Sequence, residues 1–199
     1  MQNIAIFGGS FNPIHNGHLE LAKNFSHRLR ADKTLIIPSD TPPHKDAGEM
    51  APAAARLEMC RAAAEGLPGF EVSDIEINRP GKSYTIDTLR QLRESYPCAR
   101  LFLIVGADMF LTLHQWRDYR EILNRATVCA APRDRSLADR LSEYAKTCLP
   151  QTARVIIESF PPVIMSSTEI RKRIKKGLDV SHMLPVKVQK YIETNGLYK

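Results

Sequence analysis

The sequence predicts an α/β fold: a doubly wound, mainly parallel sheet with helices on both faces and a small helical part at the C-terminus. Three observations carry that prediction. Short apolar runs of strand character alternate with segments of helical periodicity over most of the chain, as in parallel sheets whose crossovers are helices. Two of these runs, Asn3–Phe7 (NIAIF) and Leu101–Val105 (LFLIV), end in glycine, at Gly8-Gly9 and Gly106. Open parallel sheets hold ligands beyond such carboxyl ends. Finally, 199 residues at 43% hydrophobic content suffice for one buried core. No repeat, low-complexity tract or polar linker marks a second, so residues 1–199 are expected to form a single domain.

Asn3–Phe7 reads as a buried strand that delivers the chain into the Gly8-Gly9 turn. From His18 onward, Ala22, Phe25 and Leu29 recur on one helical face, so a helix packed on the sheet follows. Thr34–Pro38 (TLIIP) is a second strand. Ser39–Met50 is a polar, proline-rich loop of a length that often carries function, and Pro52 suits the first turn of a helix running toward Glu65. Phe70–Ile77 alternates like a strand with one polar face, and Asn78–Ser83 turns. Ile86, Leu89, Leu92 and Tyr96 mark another amphipathic helix. Leu101–Val105 is the most apolar run and takes the central strand. Thr127–Ala131 and Arg154–Ile157 supply further strands, and Ser166 opens a helix with Ile170 and Ile174 as its buried stripe. The assembled pattern is Rossmann-like.

Composition narrows the function classes. Cys60, Cys98, Cys129 and Cys148 lie far apart, without the close pairing of a zinc or redox motif, so reduced thiols are expected. No apolar run is long enough to span a bilayer, and Met1 is followed by a strand rather than a signal sequence. A cytoplasmic address away from membranes is therefore expected. The net charge of +6 suggests an anionic partner: nucleic acid, a membrane surface or phosphorylated small molecules. The densest basic stretch, Arg171–Lys176, contains Ile174 and no aromatic residue. It reads as a solvated helix face rather than a single-strand binding patch.

Two motifs carry chemistry. In GGSFNPIHNGHL, Gly8–Leu19, His15 and His18 stand three apart where loop becomes helix. Unpaired backbone N–H groups and the helix dipole favour an anion there. Ser166–Arg171 (SSTEIR) opens a helix near the other end of the chain. Its plain reading is a capping box of Ser166 and Glu169, but serine, threonine and arginine at a helix start also suit a second phosphate cradle.

The combination of strand, GG, HxGH and helix resembles the HxGH-type nucleotidyltransferases, and SSTEIR is similar to their SSTxxR element. Pro42-Pro43-His44-Lys45, Ser83–Leu89, Gly106–Met109, Trp116 and Val188–Tyr198 narrow the resemblance to the bacterial nicotinate-nucleotide adenylyltransferases, over essentially the whole chain. Ser10 and Asn12 stand where that family has Thr and Asp. Ser10 keeps the hydroxyl, whereas Asn12 removes a charge.

The resemblance implies adenylyl transfer from ATP to nicotinate mononucleotide, with pyrophosphate released. It makes His15, His18 and Arg171 the catalytic residues. Gly8, Gly9, Ser10, Phe11, His15, His18, Gly106, Asp108, Ser167, Thr168 and Arg171 are expected to bind ATP. His44, Lys45, Tyr84, Thr85, Asp108, Trp116 and Arg133 are expected to hold the mononucleotide. Their chemistry suits those roles. Trp116 offers a face to a pyridinium ring, Thr85 a hydroxyl and backbone N–H to a carboxylate, and Asp108 an acceptor to ribose hydroxyls. Mg2+ is expected as a cofactor carried mainly by ATP. Rival acceptors are nicotinamide mononucleotide and phosphopantetheine. A rival of another class is a non-catalytic nucleotide- or RNA-binding module. No nucleic-acid partner is expected, and self-association is left open.

Overall fold

In the computed structural model, which describes residues 1–41, 50–161, 163 and 165–199, six strands run parallel in the order β3-β2-β1-β4-β5-β6. In chain order the elements are β1 (Asn3–Gly9), α1 (Asn16–Leu29), β2 (Lys33–Pro38), α2 (Ala53–Ala64), β3 (Phe70–Val72), α3 (Thr85–Ser95) and β4 (Arg100–Gly106). Then follow α4 (Ala107–Phe110), a single 3-10 turn (Leu113–Gln115), α5 (Tyr119–Arg125), β5 (Thr127–Ala131), α6 (Arg135–Cys148), β6 (Val155–Ile157), α7 (Ser167–Lys175) and α8 (Val186–Thr194). The Rossmann-like α/β architecture is the one the sequence predicts.

Alternation along the strands sorts the core into two layers, because successive side chains point to opposite faces. Ala5, Phe7, Ile36, Phe102 and Ile104 pack beneath Leu19, Ala22 and Phe25 of α1, Met59 and Cys60 of α2, Ile170 of α7 and Val188 and Ile192 of α8. Ile4, Ile6, Leu35, Leu101, Leu103 and Val105 pack beneath Ile86 and Leu89 of α3, Phe110 of α4, Ile122 of α5 and Leu141 of α6. The C-terminal helices therefore share a layer with α1. The Asn16 N–H donates to the Met183 carbonyl at 3.0 Å, so this part docks directly on the start of α1.

The strand expected over Phe70–Ile77 covers only Phe70–Val72. Phe70 and Val72 pack into the α1 layer, whereas Ile75 packs into the α3 layer. The alternation is real, but after Ser73 the chain crosses the sheet edge and turns, with the Asn78 N–H on the Asp74 carbonyl. β6 begins at Val155, one residue later than expected. Helix α3 is capped by Tyr84 with Thr85 as its first residue. All four cysteines are unpaired, Cys60 and Cys129 within the core.

Candidate active site

Topology places the site before any side chain is considered. β1 is flanked by β2 and β4, so the chain winds outward in opposite directions from this pair. That leaves a crevice beyond their carboxyl ends, at Gly9 and Gly106. A cavity of about 1150 Å3 opens there. It is lined by Gly8, Gly9, Ser10, Phe11, His15 and His18 on one side, and by Ser167, Thr168 and Arg171 on another. Tyr84, Thr85, Gly106, Trp116 and Arg133 line it as well.

The first wall depends on a strained turn. Phe11 has φ +43°, a left-handed conformation costing a residue with a Cβ roughly 1–2 kcal/mol. Burial to 2% exposure and edge contacts to Phe7 at 5.4 Å and to His18 at 5.2 Å hold it there. A Cβ on Gly9 would come 3.0 Å from that ring, so any larger residue there would press on the Phe11 side chain. One on Gly106 would meet nothing within 4 Å.

His15, not its neighbour Asn16, caps α1. The two motif histidines are fixed by reciprocal bonds. The His18 N–H donates to His15 Nδ1 and the His15 N–H to His18 Nδ1, both at 3.3 Å, while the rings stack 3.6 Å apart. An Nδ1 that accepts cannot carry the proton, so each neutral ring carries its N–H on Nε2. Burial drives the His15 pKa down to about 4, against the opposing effect of its backbone hydrogen bond. At neutral pH His15 is therefore an uncharged donor.

The second motif clasps the first. Ser166 caps α7 by accepting from the Glu169 N–H at 3.1 Å. Ser167 Oγ donates to the Pro13 carbonyl at 2.9 Å, and Arg171 Nη1 donates to the Asn12 carbonyl at 3.0 Å. Asn12 itself is 5% exposed. Its Oδ1 accepts from the Ala51 N–H at 3.0 Å and from the Tyr198 hydroxyl at 2.8 Å. With two donors on its oxygen, the buried amide meets the hydrogen-bonding requirement of a polar group removed from water. Two helix N-termini, those of α1 and α7, thus meet at one cavity.

A family model described as cytidylyltransferase-like matches residues 6–173. A protein of Desulfitobacterium hafniense (strain Y51) named probable nicotinate-nucleotide adenylyltransferase is 37% identical over 100% of this chain and 96% of its own. One of the same name from Halalkalibacterium halodurans is 39% identical over 100% of this chain and 92% of its own. The chain belongs to the nicotinate-nucleotide adenylyltransferase family. A solved structure of the Plasmodium falciparum nicotinic acid mononucleotide adenylyltransferase complexed with NaAD shares the fold. Its TM-score is 0.80 over 100% of this chain and 98% of that one, at 18% identity.

Within this nicotinate-nucleotide adenylyltransferase relative, most of the residues singled out in the sequence converge on the cavity. Asp108 is exposed on the first turn of α4 and is not among the lining residues. His44 and Lys45 lie outside the described residues. Three residues at or beside the cavity were missed. Arg56 is 1% exposed and donates to four carbonyls, those of Ala51, Ser10, Ser39 and Asp40, at 2.6–3.0 Å. Its signal was available, because Arg56 sits one turn before Met59 and Cys60 on the buried stripe of α2. Glu76 is 8% exposed and accepts from Thr88 Oγ1 at 2.7 Å. Burial raises its pKa against hydrogen bonds from Thr88 and Ser83 and the charge of Arg79. Arg117 lines the cavity beside Trp116, and a lone arginine after a tryptophan carries no sequence signal of its own.

Proposed function

We propose that the chain transfers the adenylyl group of ATP to nicotinate mononucleotide, giving nicotinate adenine dinucleotide and pyrophosphate. The observation that carries this reading is the meeting of the α1 and α7 N-termini at the β1–β4 crevice, with His15 and His18 on one and Ser167, Thr168 and Arg171 on the other. Each end offers the positive pole of its helix dipole to phosphate. A cavity of about 1150 Å3 exceeds the several-hundred-Å3 pocket a single small ligand needs. The outer part, bounded by Tyr84, Thr85 and Trp116, suits a second nucleotide. Family membership and the names of the relatives support the same substrate pair.

In this reading an oxygen of the mononucleotide phosphate attacks the ATP α-phosphorus, and the bond to the bridging oxygen breaks, releasing pyrophosphate. The attacking phosphate is already ionised, so no side chain removes a proton and no covalent enzyme intermediate forms. The protein supplies alignment and charge stabilisation. His18 donates from Nε2, Arg171 contributes a permanent positive charge, and Ser167 and Thr168 hold the phosphate end. Trp116 stacks on the pyridinium ring, and Gly106 admits the nucleotide to the strand end.

ATP enters as its magnesium complex. Among the described residues no three His, Cys, Asp or Glu side chains lie close enough to hold a metal, and the Asn12 side-chain oxygen already accepts from two donors. In this reading the ion would be carried mainly by the triphosphate, whose charge it would help neutralise. Among the described residues no helix is long and apolar enough to cross a membrane. The proposed setting is a single cytoplasmic domain acting on small molecules.

Pyrophosphate release with ATP and magnesium tests the proposal. Release that requires nicotinate mononucleotide supports it. No release from folded protein favours the non-catalytic binding module.

A further inference from the structure

We propose that Arg117 is a specificity-determining residue that reads the charge on the second nucleotide and favours an acid-bearing ring over its amide. The inference rests on the adenylyltransferase reading above and names the feature that selects between two acceptors.

Trp116 and Arg117 follow the 3-10 turn Leu113–Gln115, and both line the cavity together with Tyr84 and Thr85. The Arg117 guanidinium carbon lies 4.7 Å from the centre of the Tyr84 ring, within the range of cation–π attraction. Tyr84 is the N-cap of α3 and offers no side-chain cap to its first-turn N–H groups. A permanent positive charge is thereby held beside the positive end of a helix dipole. Both border the cavity that Trp116 also lines.

The chemistry follows from that pairing. A carboxylate on the ring gains from both positive potentials, and a planar guanidinium can receive it through two parallel N–H bonds. A carboxamide carries no charge and gains little. Neighbouring acids do not consume the guanidinium. Asp118 is 3.9 Å from Arg117 Nε but 3.4 Å from Arg90, which it shares with Glu121. Glu76, a carboxylate of the cavity lining, already accepts from Thr88 and Ser83. The Arg117 side chain is 54% exposed, so solvent screening confines its effect to about one order of magnitude.

The test is kcat/KM for nicotinate mononucleotide and for nicotinamide mononucleotide, measured with saturating ATP on the full chain and on its R117Q and R117K variants. We expect R117Q to lower the acid-to-amide ratio about five- to tenfold, chiefly through the acid's KM. R117K should recover part of the loss, and the gap between wild type and R117Q should narrow as salt is raised. An unchanged ratio, or equal loss on both substrates, would overturn the inference and leave Arg117 as a prop for Tyr84. Wild-type protein that turns over neither compound would overturn the adenylyltransferase reading together with it.

Discussion

The two histidines of the first motif have separable consequences. His18 is proposed to touch the triphosphate, so His18→Ala should slow pyrophosphate release by about 10²–10³, the usual effect of removing one well-placed donor. The loss of the His18 Nδ1 acceptor for the His15 N–H should cost only about 1 kcal/mol of stability. Wild-type turnover in a folded His18→Ala protein would remove it from the mechanism. His15 makes a prediction about pH. Its native pKa of about 4 lies below the ordinary 6.5, so between those values the unfolded chain takes up a proton that the native ring refuses. Its contribution is complete above pH 6.5, declines as pH falls through the window and levels off near pH 4. The whole change is about 3 kcal/mol. Urea midpoints across pH 4–7 should show this slope in the wild type and lose it in His15→Asn, which keeps a capping acceptor without a titrating ring. An identical slope in the variant would assign it to another group. These histidines were legible in the sequence because their geometry is local: three residues apart at a helix start, they lie close enough to cap and stack. Asp108 was less so, because the direction of a carboxylate after a strand depends on the short helix α4, whose four residues are too few to announce themselves by periodicity.

At the scale of elements, the site is a joint between segments far apart in sequence, and two substitutions probe it. Arg56 ties Ser10 after β1, Ser39 and Asp40 after β2 and Ala51 before α2 through a single buried guanidinium. Arg56→Met would leave those carbonyls without their donor and should destabilise the protein by about 3–5 kcal/mol. Arg56→Lys should restore only part of this, because an ammonium cannot span the same fork. Denaturant titration checks both. Gly106→Ala is the converse case. Its φ of −65° suits any residue and nothing lies within 4 Å of the added Cβ. Stability should stay within about 0.5 kcal/mol, while KM for ATP rises as the methyl occupies nucleotide space. A fall in stability with unchanged KM would place Gly106 outside the site. Strands with a continuous apolar run were legible, since only a sheet covered on both faces buries them. The 70–77 segment was not: its alternation continues past Val72, but Ile75 packs into a different layer. The clasp of Ser167 and Arg171 on Pro13 and Asn12 was beyond sequence reasoning too, because both plain caps and phosphate cradles begin with the same residues.

For the whole molecule, the strand order places a crevice between β1 and β4, and the two helix N-termini charge it positively for phosphate. The family resemblance anticipated which motifs meet there. It could not anticipate that the Asn12 side-chain oxygen would accept from the Ala51 N–H and the Tyr198 hydroxyl. The central claim is a single in-line displacement at the ATP α-phosphorus by the mononucleotide phosphate. It is tested most directly with ATP made chiral at that phosphorus, incubated with nicotinate mononucleotide and the full chain. The account predicts one pyrophosphate per dinucleotide and inversion at the α-phosphorus. Retention of configuration, or no dinucleotide formed by folded protein, would contradict it.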